Sequence, residues 1–144
     1  MTSTDMKIEG KEITIQTQGF SDIKNITDHV RNYVEEVGID EGICNIFVIG
    51  STATVSTIEF EPNLVKDMQE KLEDFISRDS TTHHGQTWGD DNGFSHIRAT
   101  FMGPGITAPV HQGKVLLGTW QQIVVIDNDN RPRNRRIFLQ VMGR

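Results

Sequence analysis

The run Ile43-Cys44-Asn45-Ile46-Phe47-Val48-Ile49, apolar except at Asn45 and closed by Gly50-Ser51-Thr52-Ala53, most limits the folds open to this chain. It is too short for a buried helix and rich in β-branched and aromatic residues, so the pattern predicts a strand covered on both faces. Upstream, residues 7–17 set Ile13 and Ile15 two apart among polar neighbours, the period of a strand with one wet face. Ile23, Ile26, Val30, Tyr33, Val34 and Val37 then recur at spacings of three and four, behind Ser21 and Asp22 as candidate N-caps and before Gly38 as a stop. That spacing predicts a first helix.

A short strand is predicted at 55–60. Pro62 opens a second helix, with Leu64, Val65, Met68, Leu72, Phe75 and Ile76 on one face and an end near Ser77. Residues 78–93 are polar and rich in turn formers, which predicts a long loop. Ile97, Ala99 and Phe101 then share one face of a predicted strand, with His96, Arg98 and Thr100 on the other. Further strands are predicted at 114–117, 120–127 and 135–142, with turns at Gly103-Pro104-Gly105 and Asp127-Asn128-Asp129-Asn130. The class expected is α+β, mostly antiparallel, with two main helices in a single domain over 1–144.

The 144 residues suffice for one continuous core. A net charge of -6 and a pI near 5.3 oppose general nucleic-acid binding, which rests on excess Lys and Arg. The lone Cys44 cannot form an intrachain disulfide, reads as a buried thiol, and points to a reducing cytosol. Met1 to Lys11 contain no apolar stretch of signal-peptide or membrane-span length, so a soluble, cytoplasmic protein with no membrane partner is expected.

Chemistry concentrates in the segment His84 to His96, which carries two imidazoles, Asp90, Asp91 and Asn92 among glycines. Such groups gather to bind a metal, carry a proton or orient a polar ligand. The bland alternative is a glycine-rich turn with exposed histidines. Trp88 is either a stacking wall or an anchor for the loop.

Glu59 and Glu61 are two apart in an extended segment and project to one side, with Ile58 and Phe60 toward the core. They suit a divalent cation or an acid and base pair. Glu61 also precedes a helix and has a structural use there. The Gly50-Ser51-Thr52-Ala53 turn brings backbone N–H groups and two hydroxyls where an anion can approach, though it lacks the Walker ending. Of Arg131, Arg133, Arg135 and Arg136, alternation lets only one of Arg135 and Arg136 enter a pocket, and the others read as a solvated turn. Trp120, Gln121 and Gln122 lead into a buried strand and need partners. His29, His83 and His111 read as surface residues.

These segments, in order, resemble the YjbQ-like family, also called the secondary thiamine-phosphate synthase family. The resemblance runs from Ile43 to Gly143 and rests on several short runs. These are Phe47-Val48 with Gly50-Ser51-Thr52-Ala53; Glu59 with Glu61-Pro62; His84, Trp88-Gly89-Asp90, Asn92-Gly93 and Ser95-His96; Gly103-Pro104, Pro109-Val110 and Gly113; Leu117-Gly118-Thr119-Trp120-Gln121-Gln122; and Arg135. It implies antiparallel sheets packed as a sandwich around a pocket, a homotrimer, and an activity joining a pyrimidine diphosphate to a thiazole phosphate with release of pyrophosphate. Many members have His-Thr-Thr-Ala where this chain has Gly50-Ser51-Thr52-Ala53.

The function expected is therefore an enzyme acting on phosphorylated small molecules. Glu59, His84, Asp90 and His96 would be catalytic, while Ser51, Thr52, Asn92, Trp120, Gln121 and Arg135 would bind substrate or phosphate. His84 and His96 are candidate metal ligands, for Zn2+ better than for Mg2+ because imidazole suits the softer ion. No organic cofactor is expected. The alternative, motivated by Gly50, is a non-catalytic module that binds a metal or a phosphorylated metabolite.

Overall fold

In the computed structural model, which describes residues 5–144, the apolar run lies in an antiparallel sheet and buries one face only. The elements run β1 (Lys7–Thr17), β2 (Asp22–Asn25), α1 (Thr27–Val37), β3 (Gly42–Val48), β4 (Ala53–Glu59), α2 (Pro62–Phe75), α3 (His83–Trp88), α4 (Gly93–Met102), β5 (Gly105–His111), β6 (Lys114–Val115), β7 (Gln121–Asp127) and β8 (Arg133–Gly143). One sheet has the order β1-β8-β3-β5-β6 and the other β2-β7-β4, with antiparallel pairing throughout. The α+β class follows. The first four residues of the Met1 to Lys11 reading lie outside the described residues.

The main core fills the space between the two sheets and α1. Cys44, Ile46 and Val48 of β3 and Ile137, Leu139 and Val141 of β8 meet Val30 and Val34 of α1 and Ile123 and Val125 of β7. Each such side chain contributes about 1.5–3 kcal/mol by leaving water. The alternate residues of β3 face outward, where Ile43 and Phe47 are 39% and 43% exposed, so the expectation of two covered faces is corrected. A β-strand presents successive side chains to opposite faces, and here only one face has a layer over it. Cys44 is fully buried, and burial pushes its thiol up to about 11.

Two local readings change. The first helix begins at Thr27, because Asp22–Asn25 pair with β7 as a strand and the Asn25 side chain accepts the Thr27 N–H at 3.0 Å. Residues 93–102 form a helix, not a strand. Its buried side is Phe94, Ser95, Arg98 and Ala99, whereas Ile97 and Phe101 are 40% and 71% exposed. Arg98 makes that side possible. Its guanidinium, fully buried, donates to the Ile76 carbonyl from Nε and Nη2 at 2.8 and 2.6 Å, donates to Ser21 Oγ at 3.0 Å, and pairs with Glu73 at 3.1 Å.

The segment expected as a loop at 78–93 thus contains α3, and the chain has four helices among the described residues. β5 occupies residues 105–111, so the Gly103-Pro104-Gly105 turn leads into a strand that ends at His111. The second helix stands as read, with Glu61 as its cap: Oε1 and Oε2 accept the N–H groups of Asn63 and Leu64 at 3.1 and 2.7 Å. That is the structural use expected for Glu61. No helix among the described residues is long and apolar enough to cross a membrane.

Candidate functional site

Two chain reversals meet at one end of the two sheets, the turn from β3 to β4 and the turn from β7 to β8. Registers Ala53↔Asp127 and Thr17↔Arg133 set these ends side by side. Helices α3 and α4 lie over them. The result is a pocket of about 410 Å³ lined by Gly50, Ser51, Thr52, His84, Trp88, Asp90, Asn92, His96, Arg133 and Arg135.

Two glycines let the helices converge. Gly89 ends α3 in the left-handed region at φ +73°, which an L side chain resists. At Gly93 a Cβ would lie 2.2 Å from Thr82 Oγ1, the group that caps α3, so only glycine lets α4 come this close. His84 and His96 consequently face each other, with ring centroids 4.6 Å apart and planes tilted 37°. His84 Nδ1 lies 3.4 Å from Asp90 Oδ1, long for a hydrogen bond, and this shielded nitrogen has no hydrogen-bond partner.

Burial, followed by the charge of His84, lowers the His96 pKa below the ordinary imidazole value, against the raising effects of Asp129, Asp90 and a ring bond with the Ser51 backbone. His96 is therefore a neutral base near pH 7. A folded-state pKa below the unfolded one contributes stability that is present above the unfolded value and is lost as pH falls through the window below it.

Beneath the rings sits a buried charge network absent from the sequence reading. Asp127 accepts from Arg135 Nε at 2.6 Å and Nη2 at 2.8 Å, and it also accepts from the Thr17 hydroxyl. Asp129 accepts from Thr52 Oγ1 at 2.9 Å, Asn92 Nδ2 at 3.3 Å and Arg133 Nε at 2.9 Å. Burial would raise the Asp129 carboxyl, but bonds from the Asn130 N–H, Thr52, Asn92 and Arg133 outweigh it and hold the group below the usual range. Arg135 also donates to Thr52 Oγ1 at 2.5 Å, so the Thr52 hydroxyl is committed inside the network. What Arg135 keeps for the pocket is Nη1, which lies 2.8 Å from the place a Cβ on Gly50 would take. Gly50 exposes that edge.

Seven of the residues singled out in the sequence therefore share the pocket: Ser51, Thr52, His84, Asp90, Asn92, His96 and Arg135. Three do not. Glu59 and Trp120 line a different pocket, and Gln121 spends its side chain on the Gly118 N–H at 3.0 Å and the Thr57 hydroxyl at 3.1 Å. Phe60, expected toward the core with Ile58, is 43% exposed. Arg133, read as part of a solvated turn, is in the pocket, while Arg136 pairs with Glu12 on the surface at 2.8 Å. Trp88 is 73% exposed at the rim and anchors nothing. In the network Arg133 follows Asp129 by four residues and Arg135 follows Asp127 by eight, spacings that the composition of an ordinary turn hides in the sequence.

The donor set falls short of a metal centre. No group of three or more His, Cys, Asp or Glu among the described residues is gathered to hold an ion, and two tilted, stacked imidazoles with one distant carboxylate do not form the tetrahedral set Zn2+ takes.

A family model described as UPF0047 protein YjbQ-like matches residues 11–144. A UPF0047 protein of Methanothermobacter thermautotrophicus is 35% identical over 139 residues, covering 96% of this chain and 95% of that one. One from Mycobacterium tuberculosis is 37% identical over 113 residues, covering 77% and 82%. Among solved structures, a protein of unknown function from Sulfolobus solfataricus superposes with a TM-score of 0.92 at 35% identity, covering 97% of this chain and all of its own. A hypothetical protein from Aeropyrum pernix gives 0.87 at 26% identity, covering 94% and 99%. These descriptions assign no activity.

Proposed function

The chain belongs to the UPF0047 YjbQ-like family, and from its site we propose that it is an enzyme acting on phosphorylated small molecules at the His84–His96 pocket. The observation that carries this reading is the pairing of two imidazoles over a floor with guanidinium edges. Guanidinium binds phosphate oxygens through paired, charge-assisted hydrogen bonds. A neutral ring beside it takes up or returns a proton.

The reaction we favour is the one the resemblance implies. A bond forms between the pyrimidine-bearing carbon and the thiazole nitrogen, and the bond from that carbon to the diphosphate oxygen breaks. The electron pair leaves with pyrophosphate, and the ring nitrogen keeps the positive charge. Arg135 Nη1, Arg133 and the Ser51 hydroxyl would meet the charge growing on pyrophosphate, a task suited to fixed donors. The imidazole pair would donate a hydrogen bond to it, and a ring that has taken up a proton from solvent would return that proton to the departing oxygen. Thr52 and Asn92 act in this scheme by holding Asp129, and Asp90 by facing His84. The homotrimer that the resemblance implies would cover the outward sheet face bearing Ile43, Phe47 and Met142.

Incubating purified protein with the pyrimidine diphosphate and the thiazole phosphate should give thiamine phosphate and pyrophosphate in equal amounts, read by chromatography and a pyrophosphate assay. Binding of both precursors without product would leave the non-catalytic alternative, which the tying-up of both arginines by Asp127 and Asp129 favours. No binding would remove both.

A further inference from the structure

We propose that the chain carries a second ligand site, separate from the imidazole pocket, which takes a small organic cation between Trp120 and Phe60 with Glu59 as its counter-charge. The site is a pocket of about 450 Å³, lined by Asn25, Glu59, Phe60, Glu61, Pro62, Thr119, Trp120 and Gln122. That volume suits a small molecule.

Its chemistry is one-sided. The lining includes no Lys, Arg or His, and it includes two carboxylates and two aromatic rings. Glu61 spends both oxygens on the start of α2. The Glu59 carboxylate, at the end of β4, makes no hydrogen bond or ion pair among the described residues, while the Glu59 backbone carbonyl accepts the Glu61 N–H at 2.9 Å. The amide donors around it are committed to the chain: Asn25 Nδ2 to Gln122 Oε1 at 3.0 Å, and Gln122 Nε2 to the Gln121 carbonyl at 3.2 Å. An anion would meet carboxylates and no free cation here. A cation would meet a carboxylate and two π faces, the combination that attracts quaternary ammonium and guanidinium groups.

The aromatic wall is built. Trp120 is 72% exposed, yet its turn is closed twice: the Gln121 N–H donates to the Gly118 carbonyl at 3.1 Å, and the Gly118 N–H donates to Gln121 Oε1 at 3.0 Å. Gln121 Nε2 ties that turn to Thr57 of β4 at 3.1 Å, the strand that also delivers Glu59. An indole on a turn closed in this way, sharing a pocket with a carboxylate that has no partner, is the arrangement a cationic ligand would use. Gln121 is thus a positioning residue for Trp120. The inference does not rest on the reaction proposed above, because no residue of the imidazole pocket takes part.

The test uses choline and its neutral isostere 3,3-dimethylbutan-1-ol, followed by NMR at the indole N–H resonances of the whole chain. Choline should move the Trp120 resonance saturably and leave Trp88 in place, and the isostere should bind about tenfold more weakly. Glu59→Gln should weaken choline about fivefold without altering the isostere. Trp120→Leu, at an exposed position, should abolish choline binding read at the Glu59 backbone amide. Equal affinity for the two probes, unchanged choline binding in Glu59→Gln, or a response at Trp88 alone would each overturn the proposal.

Discussion

Replacing Asp127 by alanine is expected to lower the stability of the fold by about 3 kcal/mol, because it leaves the buried Arg135 guanidinium without its closest carboxylate and with only Asp129, at 3.7 Å, as counter-charge. Arg135 is 7% exposed and Asp127 fully buried, so water cannot take over the lost bonds. The loss spreads, since the Asp127 carboxylate also accepts from the Thr17 hydroxyl and from the Asp129 N–H at 3.0 Å. Removing both charges together, as Asp127→Ala with Arg135→Met, should cost less than Asp127→Ala alone, because no unpaired ion remains. Urea unfolding at neutral pH reads both. A loss below about 1 kcal/mol for the single variant would mean that the network is solvated and anchors nothing.

His96→Ala is expected to lower turnover of the two precursors about 10²–10⁴-fold, the usual range for removing a positioned acid or base. His96 sits in the first turns of α4 with its ring against His84, and it carries none of the bonds that hold Asp129 or Arg135. Pyrophosphate affinity should therefore change far less than the rate. A variant that turns over within a few-fold of wild type would remove His96 from the chemistry, and one that loses pyrophosphate binding along with the rate would recast it as a ligand contact.

The strands with clean alternation and the second helix with its Pro62 start were legible because a single periodicity governed each. The α4 segment was not. Its apolar alternation at Ile97, Ala99 and Phe101 mimics a strand, while the helix is fixed by burying Arg98, a residue that pattern reading sends to solvent. Convergence of His84, Asp90, Asn92 and His96 was readable from their density in a glycine-rich segment. The aspartates below them were not, because Asp127-Asn128-Asp129-Asn130 has the composition of an ordinary turn and only burial reveals its use. Glu59 and Trp120 were grouped with the histidines because the motifs occur together in the chain, and order along the chain does not say which end of a strand a residue occupies. Glu59 ends β4, whereas Ser51 and Thr52 precede its start.

Proton transfer at this site depends on the two imidazoles sharing one partly desolvated space with an acid nearby. Proton NMR of the His96 ring across pH, in wild type and in His84→Ala, tests that directly. The expected result is a midpoint below the ordinary imidazole value of about 6.5 in wild type, and a rise in that midpoint when the neighbouring ring is removed, since His84 is among the causes that lower it. A His96 midpoint at the ordinary value that His84→Ala leaves unmoved would contradict the shared pocket, and with it the proton-transfer role proposed for the pair.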